Sequence, residues 1–227
     1  MEKYINLLRR VSHFKSFKLS DLRRIINSGH FIRNQKGNII FHEMDPSAGM
    51  FVLFSGKVQL CNYGGEGQVQ IISVIEPVTM FNELTAIDGG PNPTTAIVVQ
   101  DCLTWNIKYE AFERLVRHYP DPALGLAMMR VLAARTRELI NRCEDLSFKP
   151  VLTRTAKLIL ELSAQGENTI DRNKYSLEEL AARIATVPES VSRSISCLDK
   201  RGLISCDRKQ IKILKTEELS KETLISP

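Results

Sequence analysis

YSLEELAARIATVPESVSRSISCLDKRGLISCDRKQIKI, running from Tyr175 to Ile213, parses as two short helices joined by a tight turn and followed by a small basic hairpin. Ser176 stands where a helix N-cap is needed, and Glu179 three residues later completes a capping box. Leu177, Leu180, Ala181 and Ile184 then supply one apolar face. A second box, Thr186 with Glu189, opens the next helix, and Pro188 is tolerated in its first turn because no intrahelical donor is lost there. Val191, Ile195 and Leu198 form the buried stripe of that helix. This leaves Glu189, Ser190, Ser192, Arg193 and Ser196 facing away from the core, a dress of small polar residues and one Arg that suits a groove better than a packing surface. Helix, turn, helix and hairpin in this order predict a winged helix-turn-helix shaped for the major groove of DNA.

Charge separates this reading from two amphipathic helices that merely pack. From Arg193 to Lys215 seven cations (Arg193, Lys200, Arg201, Arg208, Lys209, Lys212, Lys215) stand against Asp199 and Asp207, a net +5 that equals the formal charge of the whole 227-residue chain. The excess is concentrated where phosphates would lie. The candidate DNA contacts are Ser176, Thr186, Glu189, Ser190, Ser192, Arg193, Lys200, Arg201, Arg208 and Lys209.

Length allows one large domain or two small ones. No apolar run is long enough to span a membrane, and the polar start MEKYINLLRR is unlike a signal peptide. Cys61, Cys102, Cys143, Cys197 and Cys206 include no CxxC pair, a pattern that fits reduced thiols in the cytoplasm and predicts neither a disulfide framework nor a metal site. Cys197 and Cys206 raise redox sensing as an option, but apolar neighbours favour packing for Cys197. An enzyme is the rival of a different class. There is no Ser/His/Asp or Cys/His set, no phosphate-cradling Gly loop and no HExxH, and the sequence neighbours of Glu83 offer no acid, cation or metal ligand.

Residues 1 to about 21 read as a helical lead-in, with Leu7, Leu8, Val11 and Phe14 at helical spacing. From Phe31 to Trp105 short apolar runs (Asn38–Phe41, Met50–Leu53, Lys57–Cys61, Val69–Val74, Ala96–Val99, Leu103–Ile107) are punctuated by Gly, Pro and Asp, which predicts an antiparallel sandwich or barrel. A short helix at Ala111–His118 and a long one from Pro122 to Phe148 follow. The long helix carries a heptad stripe, Met129, Leu132, Thr136, Leu139, Cys143 and Leu146, while Leu124, Met128 and Val131 form a second apolar face that can pack on the β-domain. Two faces on one helix predict a homodimer through the heptad stripe. The helix should stop at Phe148-Lys149-Pro150, since Pro150 cannot continue it, and this junction is a candidate hinge.

KGNIIFHEMDPSAGMFVLFSGKVQL, MFNEL, LSFKPVLTRTAKLILEL and the ExxSR of Glu189, Ser192 and Arg193 occur in that order along the chain. End to end, these motifs resemble the CRP/FNR family of transcription regulators. The resemblance implies an α+β chain: residues 1–121 an effector-sensing antiparallel β-roll of the cyclic-nucleotide-binding type, 122–148 a dimerisation helix, and 149–227 a winged helix-turn-helix. It also implies double-stranded DNA with a palindromic operator, RNA polymerase and a small effector as partners. The ExxSR pattern, with Pro188 where cyclic-AMP-binding members carry a guanine-reading Arg, implies TTGA-like half-sites.

The implied effector pocket comprises Phe81, Asn82, Glu83, Leu84, Thr94 and Thr95, with Arg135, Leu139 and Ile140 from the long helix. It departs from the cyclic-AMP pattern. The phosphate-pairing Arg of that pattern falls at Pro93, and two apolar residues, Leu139 and Ile140, replace the hydroxyl pair that holds adenine. A phosphate facing Glu83 without that Arg is disfavoured. The absence of any Cys before Cys61 excludes the iron–sulfur cluster of the oxygen-sensing branch. The Gly89–Thr95 loop and the TVPE turn resemble nitric-oxide-responsive members, which makes haem the cofactor alternative. His13, His30, His42, His118 and Met44, Met50, Met80, Met128 and Met129 are ligands in type, but no spacing marks a pair.

Overall fold

A computed structural model of the chain describes residues 2–11, 14, 17–65, 67–118 and 123–224. His13 and Pro122, and the side chain of Leu124, lie outside the described residues. Helices α1 (Glu2–Leu8) and α2 (Leu19–Asn27) precede strands β1 (His30–Asn34), β2 (Ile39–Phe41), β3 (Met50–Tyr63), β4 (Val69–Ile75) and β5 (Thr79–Phe81). Next come α3 (Glu83–Asp88), β6 (Thr95–Ile107), α4 (Tyr109–Arg117), the long α5 (Ala123–Phe148), α6 (Val151–Leu162) and β7 (Ile170–Asp171). The chain ends with α7 (Leu177–Arg183), α8 (Pro188–Lys200), β8 (Ile204–Cys206), β9 (Gln210–Ile213) and α9 (Thr216–Glu222). Two compact units result: Met1–Asn62 with Ile72–Thr136, and Tyr63–Ile71 with Arg137–Pro227. The division runs through α5 and through the β3–β4 hairpin.

In the first unit the sheet runs β1-β6-β3-β4, with β2 added on β6 and β5 on β3. Side chains alternate across β3, as the pleat requires. Met50, Val52 and Phe54 join the core formed with α1, α2, α4 and Trp105, whereas Phe51, Leu53 and Val58 point into a second cluster with Phe41, Ile75, Phe81 and Val98. The sequence pattern splits this strand in two at Ser55-Gly56. The structure keeps it whole, because a bulge carries the chain through and shifts its register on β6. Gly56 sits at φ 84, and a Cβ there would fall 2.2 Å from the Asp101 carbonyl oxygen, so glycine is required. The runs Ala96–Val99 and Leu103–Ile107 are likewise one strand, β6.

Sequence reading passes over α2, β5 and α3, of which β5 and α3 are too short to show a period. Helix α2 nevertheless buries Leu22, Ile25 and Ile26, and its Ile26 carbonyl accepts from Trp105 Nε1 at 2.9 Å. Two non-glycine residues of the roll stand in left-handed backbone, Met44 at φ 64 and Asn82 at φ 58. Asn tolerates that region; Met does not. Met44→Gly is therefore expected to stabilise the protein by about 0.5–1 kcal/mol in urea unfolding, after allowing for the extra freedom of glycine in the unfolded chain.

The second unit packs α6, α7, α8 and the β7-β9-β8 sheet around Ile159, Leu180, Val191, Leu198, Leu203 and Ile211. Ser176 caps α7, its hydroxyl accepting from the Glu179 amide at 3.2 Å. The second capping box does not form. Helix α8 begins at Pro188 with Val187 as its N-cap, which places Thr186 one residue outside. The reason lies in Pro188 itself, which drives the residue before it into extended backbone (Val187 φ −96, ψ 150), so the helix starts one residue later than the box requires.

Candidate functional site

Helix α8 buries Val191, Ser194, Ile195 and Leu198 and turns Glu189, Ser192, Arg193 and Ser196 to solvent, with Ser190 half-buried. Arg193 Nη2 donates to Ser190 Oγ at 3.3 Å, which steadies the guanidinium on the exposed face. The turn before the helix is shaped by Ala185 at φ 51 and closed by the Thr186 amide donating to the Ala181 carbonyl at 3.1 Å. Arg154 reaches the Ile184 carbonyl and so holds the C-terminal end of α7. Ser176 and Lys200 are exposed and Thr186 is half-buried. Arg201 is exposed too, but its guanidinium is taken by Glu222 of α9 through two hydrogen bonds, one of them 2.8 Å. The sequence places Arg201 among the candidate DNA contacts; in the structure its guanidinium is engaged by Glu222 and ties α8 to α9.

The wing turn is held from inside. Asp207 Oδ1 accepts from the amides of Lys209 at 2.6 Å and Gln210 at 2.8 Å. Those backbone hydrogen bonds, Gln210 first, lower the Asp207 pKa. Arg208 and Lys209 project from this turn, both exposed. Asp199 ties the wing to α8 by accepting from the Cys206 amide at 3.0 Å. Sequence reading misses Arg172, whose amide donates to the Lys209 carbonyl at 2.8 Å and which brings a further cation to the wing. The two-residue strand β7 that carries it there has no legible pattern.

In the roll, Glu83 is 6% exposed and accepts from Arg135 Nε at 3.2 Å, while Arg135 Nη2 donates to the Met80 carbonyl at 3.0 Å. The cation missing from the loop is thus supplied by α5 and neutralises Glu83. Beside it, Asn82 Nδ2 bonds the Gly49 carbonyl, Thr85 Oγ1 and Asn92 Oδ1 at 2.9–3.1 Å, and Asn92 Nδ2 bonds the His42 and Pro46 carbonyls. Asn82 Oδ1 is buried without a partner. Thr94 and Thr95 are buried. Phe81, expected in the pocket, is instead core, its ring stacked on Phe51 at 5.2 Å. Leu84 is exposed, and Leu139 and Ile140 are exposed residues of the second unit.

The faces of α5 separate. Met128 and Val131 are buried in the first unit's core, whereas Met129 (61% exposed), Thr136, Leu139 (55%), Cys143 and Leu146 (44%) are open and Leu132 is half-buried.

Residues 32–119 match the family model of the cyclic nucleotide-binding domain, and residues 153–222 match that of the Crp-like helix-turn-helix domain. A cyclic AMP receptor protein of Thermus thermophilus is 30% identical over 169 residues, 74% of this chain and 76% of that protein. The chain belongs to the CRP/FNR family of transcription regulators. A CRP-like cAMP-activated global transcriptional regulator of Mycobacterium tuberculosis is 24% identical over 220 residues, 95% of this chain and 97% of its own. The c-di-GMP responsive global regulator CLP of Xanthomonas campestris, a solved structure, shares the fold with a TM-score of 0.74 at 19% identity, over 86% of this chain and 99% of that one.

As a CRP/FNR-family member the chain is a DNA-binding transcription regulator. Pro93 stands where the cyclic-AMP motif carries its phosphate-pairing Arg, and Arg135 beside Glu83 donates to that carboxylate. His30, His42, His118 and Met44 are exposed, and Met50, Met80 and Met128 are packed in the core. Among the described residues no group of three His, Cys, Asp or Glu could hold a metal ion, and no helix is long and apolar enough to cross a membrane. None of the five cysteines is in a disulfide, and burial pushes the thiols of Cys102 and Cys206 up, away from reactive thiolate.

The α5–α6 junction of this CRP/FNR-family chain breaks at Lys149-Pro150, where the sequence places a hinge. It is clamped. Asp145 pairs with Lys149 at 2.7 Å and with Lys157 of α6 across the break. Burial alone would raise the Asp145 pKa, but hydrogen bonds from Lys149 and Lys157, and the charges of both lysines, outweigh it and hold the carboxyl below its usual range. A depressed carboxyl contributes stability above the unfolded pKa, about 4, and loses it as pH falls through the folded value. Asp145→Asn is expected to cost about 1 kcal/mol at pH 7, the upper end for partly exposed pairs, and to speed chymotryptic cleavage after the exposed Phe148. The difference from wild type should shrink progressively as pH falls below about 4, through the depressed folded pKa; a difference that does not shrink at all on acidification would rule out the ionic clamp.

Proposed function

We propose that the chain acts as a homodimer on inverted repeats with TTGA-like half-sites, and that its roll answers to a small neutral effector. The observation that carries the DNA reading is the exposed row of Glu189, Ser192 and Arg193 on α8, flanked by a wing whose turn presents Arg208 and Lys209. A carboxylate can accept from cytosine N4 and a guanidinium can donate to guanine, so each half-site contains a G·C pair read from both strands. The dimer reading is supported by the apolar stripe of α5, which one chain leaves in water. Functionally, residues 1–121 sense, 122–148 dimerise and 149–227 read DNA, and RNA polymerase is the partner that family membership suggests.

The effector reading rests on charge. Glu83 and Arg135 form a neutral pair, and the unpartnered Asn82 Oδ1 asks for a donor, which favours a ligand carrying hydroxyl or amide groups over an anion.

The test is selection of binding sites from random DNA, followed by affinity measurements at 50 and 200 mM salt. A palindrome with TTGA-like arms should emerge, and affinity should fall by at least about 10³-fold across that range if six or more phosphates are neutralised. Recovery of no palindrome would defeat the proposal. Mass analysis and an absorbance spectrum of protein purified without oxygen would identify a retained effector or haem.

A further inference from the structure

Val187 is out of place by every folding criterion. It is the N-cap of α8, where Ser, Thr, Asp or Asn would accept a hydrogen bond from a first-turn amide, and its hydrocarbon side chain cannot. It is also 44% exposed, and it is absent from the apolar cluster of its own unit. A β-branched aliphatic residue therefore leaves the helix uncapped while its methyl groups stand in water. The next residue, Pro188, offers no donor either, so the leading edge of α8 carries two consecutive positions that cannot read a base by donating hydrogen bonds from side chain or proline nitrogen.

That edge is the part of a recognition helix that meets base edges. The floor of the major groove presents one apolar group, the C5-methyl of thymine. We propose that Val187 is a specificity-determining residue that packs its methyl groups on a thymine methyl in each half-site. The proposal rests on the reading of α8 as the recognition helix and of the half-site as thymine-containing.

The test uses the full-length protein and its selected operator, with deoxyuridine replacing the thymines one position at a time in both arms. Deoxyuridine keeps every hydrogen-bonding edge and removes only the methyl. At one position wild-type binding should weaken about fifteenfold, the product of roughly fourfold per arm. Val187→Ser should bind thymine and uracil operators equally at that position, and should melt at a slightly higher temperature, because Ser can cap α8. Uracil effects all within twofold, or the same discrimination in Val187→Ser, would overturn the proposal while leaving the operator assignment intact. Failure to select any operator would remove the recognition-helix reading and this inference with it.

Discussion

Leu139→Glu is expected to yield a monomer at micromolar concentration by light scattering. In the single chain Leu139 is more than half exposed on the heptad stripe of α5, between Thr136 and Cys143. Glu is a good helix former, so the helix and the fold of each unit tolerate the change, and the thermal transition of the monomer serves as the control. In a parallel pair of α5 helices residue 139 faces its own copy, so the substitution brings two carboxylates together in a seam that excludes water. Burying unpaired charge there costs at least about 3 kcal/mol, roughly a 150-fold weaker dimer. Operator affinity should fall with it, since two linked half-sites become two separate binding events. A wild-type protein that is itself monomeric at this concentration, or a dimeric Leu139→Glu, would refute the seam.

The second large effect is expected from Arg193→Ala. Loss of one guanine contact costs roughly 1–3 kcal/mol per half-site, so a palindrome bound by two subunits loses about 2–6 kcal/mol, and preference at that guanine should relax. Arg193 is exposed and leans only on Ser190, so its truncation does not disturb the core of the second unit. Lys209 is the contrasting case. It stands on the wing turn, where a phosphate contact carries no sequence information, and Lys209→Ala should weaken all DNA about equally and reduce the salt slope by about one per subunit. If Arg193→Ala left base preference unchanged, the face of α8 would be a phosphate-binding surface and the operator assignment would fall.

Periodicity made the long elements legible. The buried stripe of α8 and the two faces of α5 can be read from residue spacing, because each is long enough for burial to impose a period, whereas β3 reads as two apolar runs. Short elements escaped: α2, α3, β5 and β7 span two to nine residues. Their positions are set by tertiary packing such as the Trp105 to Ile26 hydrogen bond. The start of α8 was missed by one residue because Pro188 acts on its predecessor as well as on itself. At the roll, motif resemblance assembled Asn82, Glu83, Thr94 and Arg135, yet nothing in the sequence around Glu83 reveals that its counter-ion lies 52 positions away. Phe81 belongs to the same motif and is core, since adjacent strand residues face opposite sides.

The wing turn has a thermodynamic consequence. Asp207 already closes the turn through the Lys209 and Gln210 amides, so Arg208 and Lys209 ride on backbone shaped before any duplex arrives. On the proposed DNA contact, docking orders two long side chains, about 0.5–1.5 kcal/mol each, and spares the backbone-ordering entropy of a floppy loop, about 1–2 kcal/mol per residue. On that proposal, the driving force for association at the wing is the entropy of released counterions rather than the folding of a loop.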